Sequence, residues 1–304
     1  MKTSNGSMRF VVISMVGASL LAACAEDSTA RFDQPTALVA VGDSLAMRDV
    51  GGTIEIFAID GSHRVRAGAG ASAACDGDIH ATAHDVYWRD CDRIWRADLD
   101  GANAAPMFET DGMSFVVDDA YLYGGLSNLI AYPLDGGPPE QRTTRDVVIS
   151  SLALDGSDVY MGVGTAPFDE VLIGGIYRSE QRLIPDDTDV HLQLAAGEGT
   201  LAWSTREQTF RAALDGSGVV RIGIAARRGL QIAGGRIWWT TLDDDVVSVA
   251  LDGSDFRLHY QGAAWLVGPA LIGDRAYVLE SDAERASRDQ AYGPPTYHLI
   301  AIDL

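Results

Sequence analysis

Beyond the first two dozen residues, apolar side chains come in short runs broken by Gly and Asp, and no stretch sustains the 3.6-residue period of an amphipathic helix. Two marks recur. One is a three-residue apolar step that usually carries an aromatic: Leu45-Ala46-Met47, Val86-Tyr87-Trp88, Tyr121-Leu122-Tyr123, Val159-Tyr160-Met161, Leu201-Ala202-Trp203, Ile237-Trp238-Trp239 and Ala276-Tyr277-Val278. The other is an Asp-Gly pair after a short apolar run, at Asp60-Gly61, Asp100-Gly101, Asp135-Gly136, Asp215-Gly216 and Asp252-Gly253, and the chain ends on Ala301-Ile302-Asp303-Leu304. Each aromatic step is preceded by its own apolar run and a Gly- or Asp-rich turn, as in Gln231-Ile232-Ala233-Gly234-Gly235. One unit therefore reads as strand a, tight turn, aromatic strand b, loop, strand c, Asp-Gly turn, strand d. An Asp-Gly pair favours the primed two-residue turn, so c and d are expected to form a hairpin.

From Asp60 to Asp303 the steps between marks are 40, 35, 80, 37 and 51 residues. The 80 is two units, the middle one degenerate around Ile176-Tyr177-Arg178-Ser179. A period near 40 residues built from strands is that of propeller blades and not of a helical solenoid. The expected class is all-β: a β-propeller of about seven four-stranded blades, with six as the alternative if the fourth unit is irregular. Through Val86-Tyr87-Trp88-Arg89-Asp90 and Leu99-Asp100-Gly101 the units resemble YWTD-type and TolB-like propeller repeats, over roughly residues 37 to 304. The resemblance implies the fold and leaves the activity open. The last unit stops after strand c and would leave an open sheet edge. The segment from Thr29 to Pro35 is placed to supply the missing strand and close the ring.

The start carries Lys2 and Arg9, an apolar run from Phe10 to Leu21, and then Ala22-Ala23-Cys24. These are the basic, apolar and small-residue regions of an export signal, and the run is too short to span a bilayer. Leu21-Ala22-Ala23-Cys24 resembles a bacterial lipoprotein lipobox, which implies cleavage before Cys24 and acylation of its sulfur and new amino group. Glu26 rather than Asp after Ala25 favours the outer membrane under the enterobacterial sorting pattern. The expected organisation is a signal peptide over 1–23, a tether with the ring-closing strand over 24–36, and the propeller over 37–304. In an exported chain Cys75 and Cys91 are a disulfide candidate: one lies before strand a and the other after strand b of unit 2, and antiparallel pairing brings those ends together.

Composition then narrows the chemistry. Of 23 basic residues only Lys2 is a lysine, against 43 acidic residues and a net charge of −20. A mature chain without lysine excludes Schiff-base and phosphate-loop lysine chemistry. An acidic surface also argues against nucleic acid as a partner. Gly42-Asp43-Ser44-Leu45 has the letters of the GDSL esterases, but no Asn is followed by Asp and no Asp-x-x-His falls near the C-terminus. Gly42-Asp43 therefore reads as the a-b turn of unit 1.

A channel ligand site is sought at His80 and His191, taken to occupy one repeat position at the start of inner strands, with Ser114, Ser150 and Gln231 near the same level; His with nearby carboxylates can bind a metal or act as a base. Recognition is sought in the long b-c loops, with Phe168, Asp169 and Glu170 in unit 4 and Tyr292 in unit 7. Asp243-Asp244-Asp245, in the matching loop of unit 6, reads as a solvated acidic turn, with a divalent cation as the alternative; no resident cofactor is expected. The functional expectation is a membrane-anchored monomeric module that binds or scaffolds an envelope protein, peptide or glycan. A lactonase-like hydrolase or lyase working in the channel is the alternative.

Overall fold

The computed structural model describes residues 31–33, 35–68, 78–110, 114–143, 148–164, 175–185, 193–282 and 296–304. Within them the chain forms seven four-stranded antiparallel sheets. Strand β1 (Arg31–Asp33) comes first and is taken up last. Blade 1 is β2 (Pro35–Val41), β3 (Ser44–Asp49), β4 (Ile54–Ala58) and β5 (Val65–Gly68). Blade 2 is β6 (Ile79–Ala81), β7 (Asp85–Asp90), β8 (Arg93–Asp98) and β9 (Ala105–Glu109). Blade 3 is β10 (Phe115–Val117), β11 (Tyr121–Gly124), β12 (Ile130–Pro133) and β13 (Glu140–Gln141). Blade 4 is β14 (Val148–Asp155), β15 (Asp158–Gly164), β16 (Gly175–Arg178) and β17 (Gln181–Pro185). Blade 5 is β18 (Gln193–Gly197), β19 (Thr200–Ser204), β20 (Gln208–Ala213) and β21 (Val220–Ile224). Blade 6 is β22 (Ala226–Ala233), β23 (Arg236–Thr241), β24 (Asp245–Ala250) and β25 (Arg257–Gln261). Blade 7 joins β26 (Leu266–Ile272), β27 (Arg275–Ser281) and β28 (Thr296–Asp303) to β1, in the order β1-β28-β27-β26.

The N-terminal strand thus closes the ring, with Phe32 opposite Tyr297 and Arg31 opposite His298. Each blade junction holds its own apolar cluster. Val41, Ile56, Ile79 and Trp88 join blades 1 and 2, and Tyr87, Ile94, Phe115 and Leu122 join blades 2 and 3. Tyr123, Ile149 and Met161 join blades 3 and 4, and Tyr160, Leu194 and Trp203 join blades 4 and 5. Ala202, Trp239 and Val247 join 5 and 6, and Val246, Leu266 and Ile302 join 6 and 7. The circle closes at blades 7 and 1, where Phe32, Phe57, Tyr277, Tyr297 and Leu299 pack together. Alternate residues of strand b point to opposite sheet faces. An apolar three-residue step on b therefore feeds two junctions at once, as Tyr87 and Trp88 do.

The Asp-Gly hairpins form, but not as the primed two-residue turns that the pair favours. Within each pair the glycine and not the aspartate has positive φ, as at Gly61 (77°), Gly101 (75°), Gly216 (83°) and Gly253 (87°), and a second left-handed residue follows two positions on, at His63, Asn103, Gly218 and Asp255. Gly253 N–H donates to Ala250 O at 2.8 Å and Ala250 N–H to Ser254 O at 2.9 Å, which is a three-residue loop with a bulge at glycine. The preceding Asp accepts the N–H two residues on, Asp60 from Ser62 at 2.8 Å and Asp252 from Ser254 at 2.8 Å. That side-chain bond selects the three-residue form. Turns with positive φ at both central residues sit instead between strands a and b, at Glu198-Gly199 and Gly234-Gly235. Gly42-Asp43 joins β2 to β3 in the same place, as a turn and not a nucleophile motif.

The a-b and c-d turns define one rim, here called the Asp-Gly rim. The b-c loops and the passages between blades define the other, the connecting rim. Cys91 follows β7 with φ 53° and is disulfide-bonded; its partner and Cys75 lie outside the described residues. No helix among the described residues is long and apolar enough to cross a membrane.

Candidate functional site

The inner strands β2, β6, β10, β14, β18, β22 and β26 surround the axis, so a channel site must be built from them. Register against strand b fixes the level of each residue. His80 pairs with Tyr87 and Gln231 with Trp238, both in the middle of the aromatic step, so these two share a level. In blade 5 the residue paired with Ala202, the middle of that step, is Ala195. The counterpart of His80 is therefore Ala195 and not His191, which lies outside the described residues. The reason is spacing: His80 lies seven residues before Tyr87 and Ala195 seven before Ala202, whereas His191 lies eleven before Ala202. Ser114 and Ser150 fall outside the His80 level as well, because Val117 and Ala153 take it in blades 3 and 4.

Among the described residues these side chains make separate contacts. His80 lies edge-on to Phe115 with ring centroids 4.7 Å apart. Desolvation lowers its pKa from the ordinary 6.5, and the charge of Asp78 opposes that. Ser150, at a bulge in β14, donates to Gly162 O at 2.9 Å. Gln231 donates through Nε2 to Pro269 O at 2.6 Å and so ties blade 6 to blade 7. Among the described residues no group of three or more His, Cys, Asp or Glu is arranged to hold a metal ion.

A denser polar cluster, absent from the expectations above, occupies the connecting rim where blades 6, 7 and 1 meet. Arg227 Nη1 lies 2.7 Å from Asp244 Oδ1, with the guanidinium 4.5 Å from the centre of the Trp265 ring. Asp244 Oδ1 also receives the Leu266 N–H at 3.3 Å. The neighbouring Arg228 reaches from β22 to Thr36 O in β2 at 2.9 Å. Tyr297, beside these arginines, has its pKa raised by burial, with Arg228 opposing the rise. Two adjacent cations at the start of an inner strand, next to the acidic turn of the same blade, were the available signal for this cluster.

It also corrects the reading of Asp243-Asp244-Asp245. Asp243 is exposed, but the Asp244 side chain is 1% exposed, in αL conformation with φ 62°. It is a buried ion-pair partner and not part of a solvated acidic turn. The recognition residues Phe168, Asp169, Glu170 and Tyr292 lie outside the described residues, as does Cys24; the loops that hold the first four depart from Gly164 and Asp282 on the connecting rim.

Comparison with known proteins agrees on the architecture. The propeller domain of Cps50 (Swd1) from Myceliophteria thermophila is similar, with a TM-score of 0.59 at 8% identity, over 88% of this chain and 98% of that one. The computationally designed Ika8 protein is similar at a TM-score of 0.57 and 10% identity, over 91% of this chain and 98% of that one. At such identity the likeness is one of fold. No protein-family model and no curated protein sequence matches the chain.

Proposed function

We propose that this protein is an exported, lipid-anchored propeller that serves as a binding or scaffolding module of the bacterial cell envelope. In this reading Cys24 carries the acyl chains, the outer membrane is the site of residence, and the partner is an envelope protein, peptide or glycan. The observation that carries it is that polar groups around the axis are engaged in holding the ring together. Gln231 binds Pro269, Arg228 binds Thr36, and Gln193 accepts the Leu230 N–H at 2.8 Å. A closed, internally bonded ring is a rigid mount, and its two long b-c connections leave from one rim. On such scaffolds recognition resides in the loops. No comparable observation favours the hydrolase alternative.

The test is a photo-crosslinking residue at Tyr292 in the full-length acylated protein, activated in intact envelopes. Amine-directed reagents would find no lysine in the mature chain. A single near-stoichiometric adduct, lost when 283–295 is deleted, is the expected result. No adduct, together with a metal-dependent lactone hydrolysis abolished by His80→Ala, would replace this reading with the enzymatic one.

A further inference from the structure

Large apolar side chains stand exposed at nine places among the described residues, and five of them gather on the outer wall of blades 5 and 6. Val219, Val220 and Ile224 lie on or beside β21, and Phe256 and Leu258 on or beside β25, all between 41% and 56% exposed. These side chains belong to one surface. The c-d turn of blade 6 lies against β21, where a Cβ at Gly253 would stand 3.4 Å from Ile222 Cγ2 and 3.9 Å from Val220 Cγ1. The Trp239 indole links the same two elements. A Cβ at Gly223 would stand 2.8 Å from Trp239 Cζ2, and Phe256 lies edge-on to that ring with centroids 6.3 Å apart. Single exposed apolar residues are ordinary on a protein surface, whereas a continuous cluster marks an interaction site.

β21 and β25 are the outermost strands of their sheets. The other outer strands carry features that discourage association. β9 holds Pro106 and ends on Glu109, β13 is only Glu140–Gln141, and β17 ends on Pro185. β1 is three residues long with Asp33, and Ala67 of β5 is buried. β21 and β25 have five residues each, with neither proline nor carboxylate. Charge departs from the rest of the chain as well. From Gly216 to Leu242 there are four arginines and no carboxylate, and from Phe256 to Gly273 no carboxylate, in a chain of net charge −20. Arg221 and Arg257 are exposed on the two strands. The nearest carboxylates stand in the turns, where Asp255 is already engaged by Arg236 at 2.9 Å and by Arg257 at 2.6 Å.

We propose that this outer wall of blades 5 and 6 binds an extended segment of a partner protein whose side chains are apolar and acidic. A five-residue strand spans about 17 Å, so the surface is a strip that fits a short extended segment. Apolar side chains of the segment cover Val220, Phe256 and Leu258, and its carboxylates meet Arg221 and Arg257. Acidic partners are repelled by the chain as a whole, which makes a locally cationic, apolar strip a specific address for one. A second copy of the chain fits the charges less well. A two-fold contact would set Arg221 and Arg257 of one copy against the same groups of the other, between bodies of −20 each. The strip is separate from the long b-c connections of the connecting rim and does not depend on a lipid anchor.

A phage-displayed library of random short peptides, panned against the full-length protein, tests this. Enriched peptides should combine Asp or Glu with Leu, Ile, Val or Phe. Resynthesised, they should bind Leu258→Glu at least about tenfold more weakly than the parent. Leu258→Ser repeats the comparison without an added charge, and the urea midpoint of each variant shows whether the fold is intact. Val50→Glu, at an exposed apolar position of blade 1, should bind as the parent does. Arg221→Gln should weaken binding and flatten its dependence on salt, because an exposed charge contact is screened. No enrichment, peptides rich in Lys or Arg, or equal binding by the parent and a folded Leu258 variant overturns the proposal. A dimer in sedimentation equilibrium that Leu258→Glu dissociates also overturns it, since the strip then belongs to a second copy.

Discussion

Arg227 Nη1 and Asp244 Oδ1 lie 2.7 Å apart and join the inner strand of blade 6 to the b-c turn of the same blade, and that carboxylate also receives the first backbone N–H of blade 7. One buried charge pair thus serves a blade and its junction. Its worth lies in the cost of breaking it, since removing one partner leaves the other charge uncompensated in a poorly solvated site.

Asp244→Asn keeps the volume and the tolerance of αL backbone but removes the charge. It should lower unfolding stability by about 3 kcal/mol, read as the urea midpoint at constant slope. Asp243→Asn, next to it and exposed, should stay within about 0.5 kcal/mol of the parent. Equal midpoints for the two variants would refute the structural role of the pair.

Gly229 and Gly234 both lie at positive φ, 66° and 60°, in or beside β22. A side chain at Gly234 meets nothing within 4 Å, whereas one at Gly229 collides with the Gly268 carbonyl of the next inner strand. Gly234→Ala should cost about 1 kcal/mol, the backbone strain alone. Gly229→Ala should cost more than about 3 kcal/mol, because blades 6 and 7 must move apart. Thermal melting of both variants checks the difference.

The turn carboxylates contribute to the loss of stability in acid. Asp60, Asp215 and Asp252 are held below the ordinary value of 3.8, chiefly by hydrogen bonds from Ser62, Ser217 and Ser254. A depressed folded-state pKa gives stability that is complete above the unfolded value and lost as pH falls below 3.8 through the folded one. Asp252→Asn can still accept the Ser254 N–H, so its unfolding free energy should fall less steeply in that window. Asp252→Ala loses the acceptor and should be less stable at neutral pH as well. Denaturant titrations at a series of pH values distinguish the three proteins, and identical slopes for parent and Asp252→Asn would contradict the assignment.

His259 sets a second pH window. Arg236 Nε donates to Ser248 Oγ at 2.7 Å, which leaves the Ser248 hydroxyl hydrogen for His259 Nε2 at 2.8 Å. Burial lowers the His259 pKa from 6.5, and Arg236 and Arg257 add to the fall. The unfolded chain therefore takes up its proton first, and stability drops as pH decreases from 6.5 towards the folded value. His80, lowered for the same first reason, contributes with the same sign. His259→Gln should flatten the stability profile in this window, and an unchanged slope would show that the imidazole does not titrate there.

How much of this was legible in advance depends on the range of the interaction. The count of seven came from marks such as Val86-Tyr87-Trp88 and Leu99-Asp100-Gly101, because every blade repeats one local strand pattern. Ring closure followed from a last unit one strand short, because an open edge needs a partner wherever it lies in sequence. The Asp-Gly turn type was missed, since the Asp side-chain bond to Ser62 or Ser254 competes with the intrinsic preference of the pair. The alignment of His80 with His191 rested on a shared Asp-x-His pattern, but His80 lies seven residues before Tyr87 and His191 eleven before Ala202, and the structure puts Ala195 at that level. The burial of Asp244 was invisible because its partners, Arg227 and the Leu266 amide, come from strands 17 and 22 residues away. Local periodicity thus determined the blade and a count of about seven, and a last unit one strand short pointed to closure by the chain itself. Which polar side chains meet was decided by the packing of one blade on the next, where burial turns an exposed-looking charge into a pair.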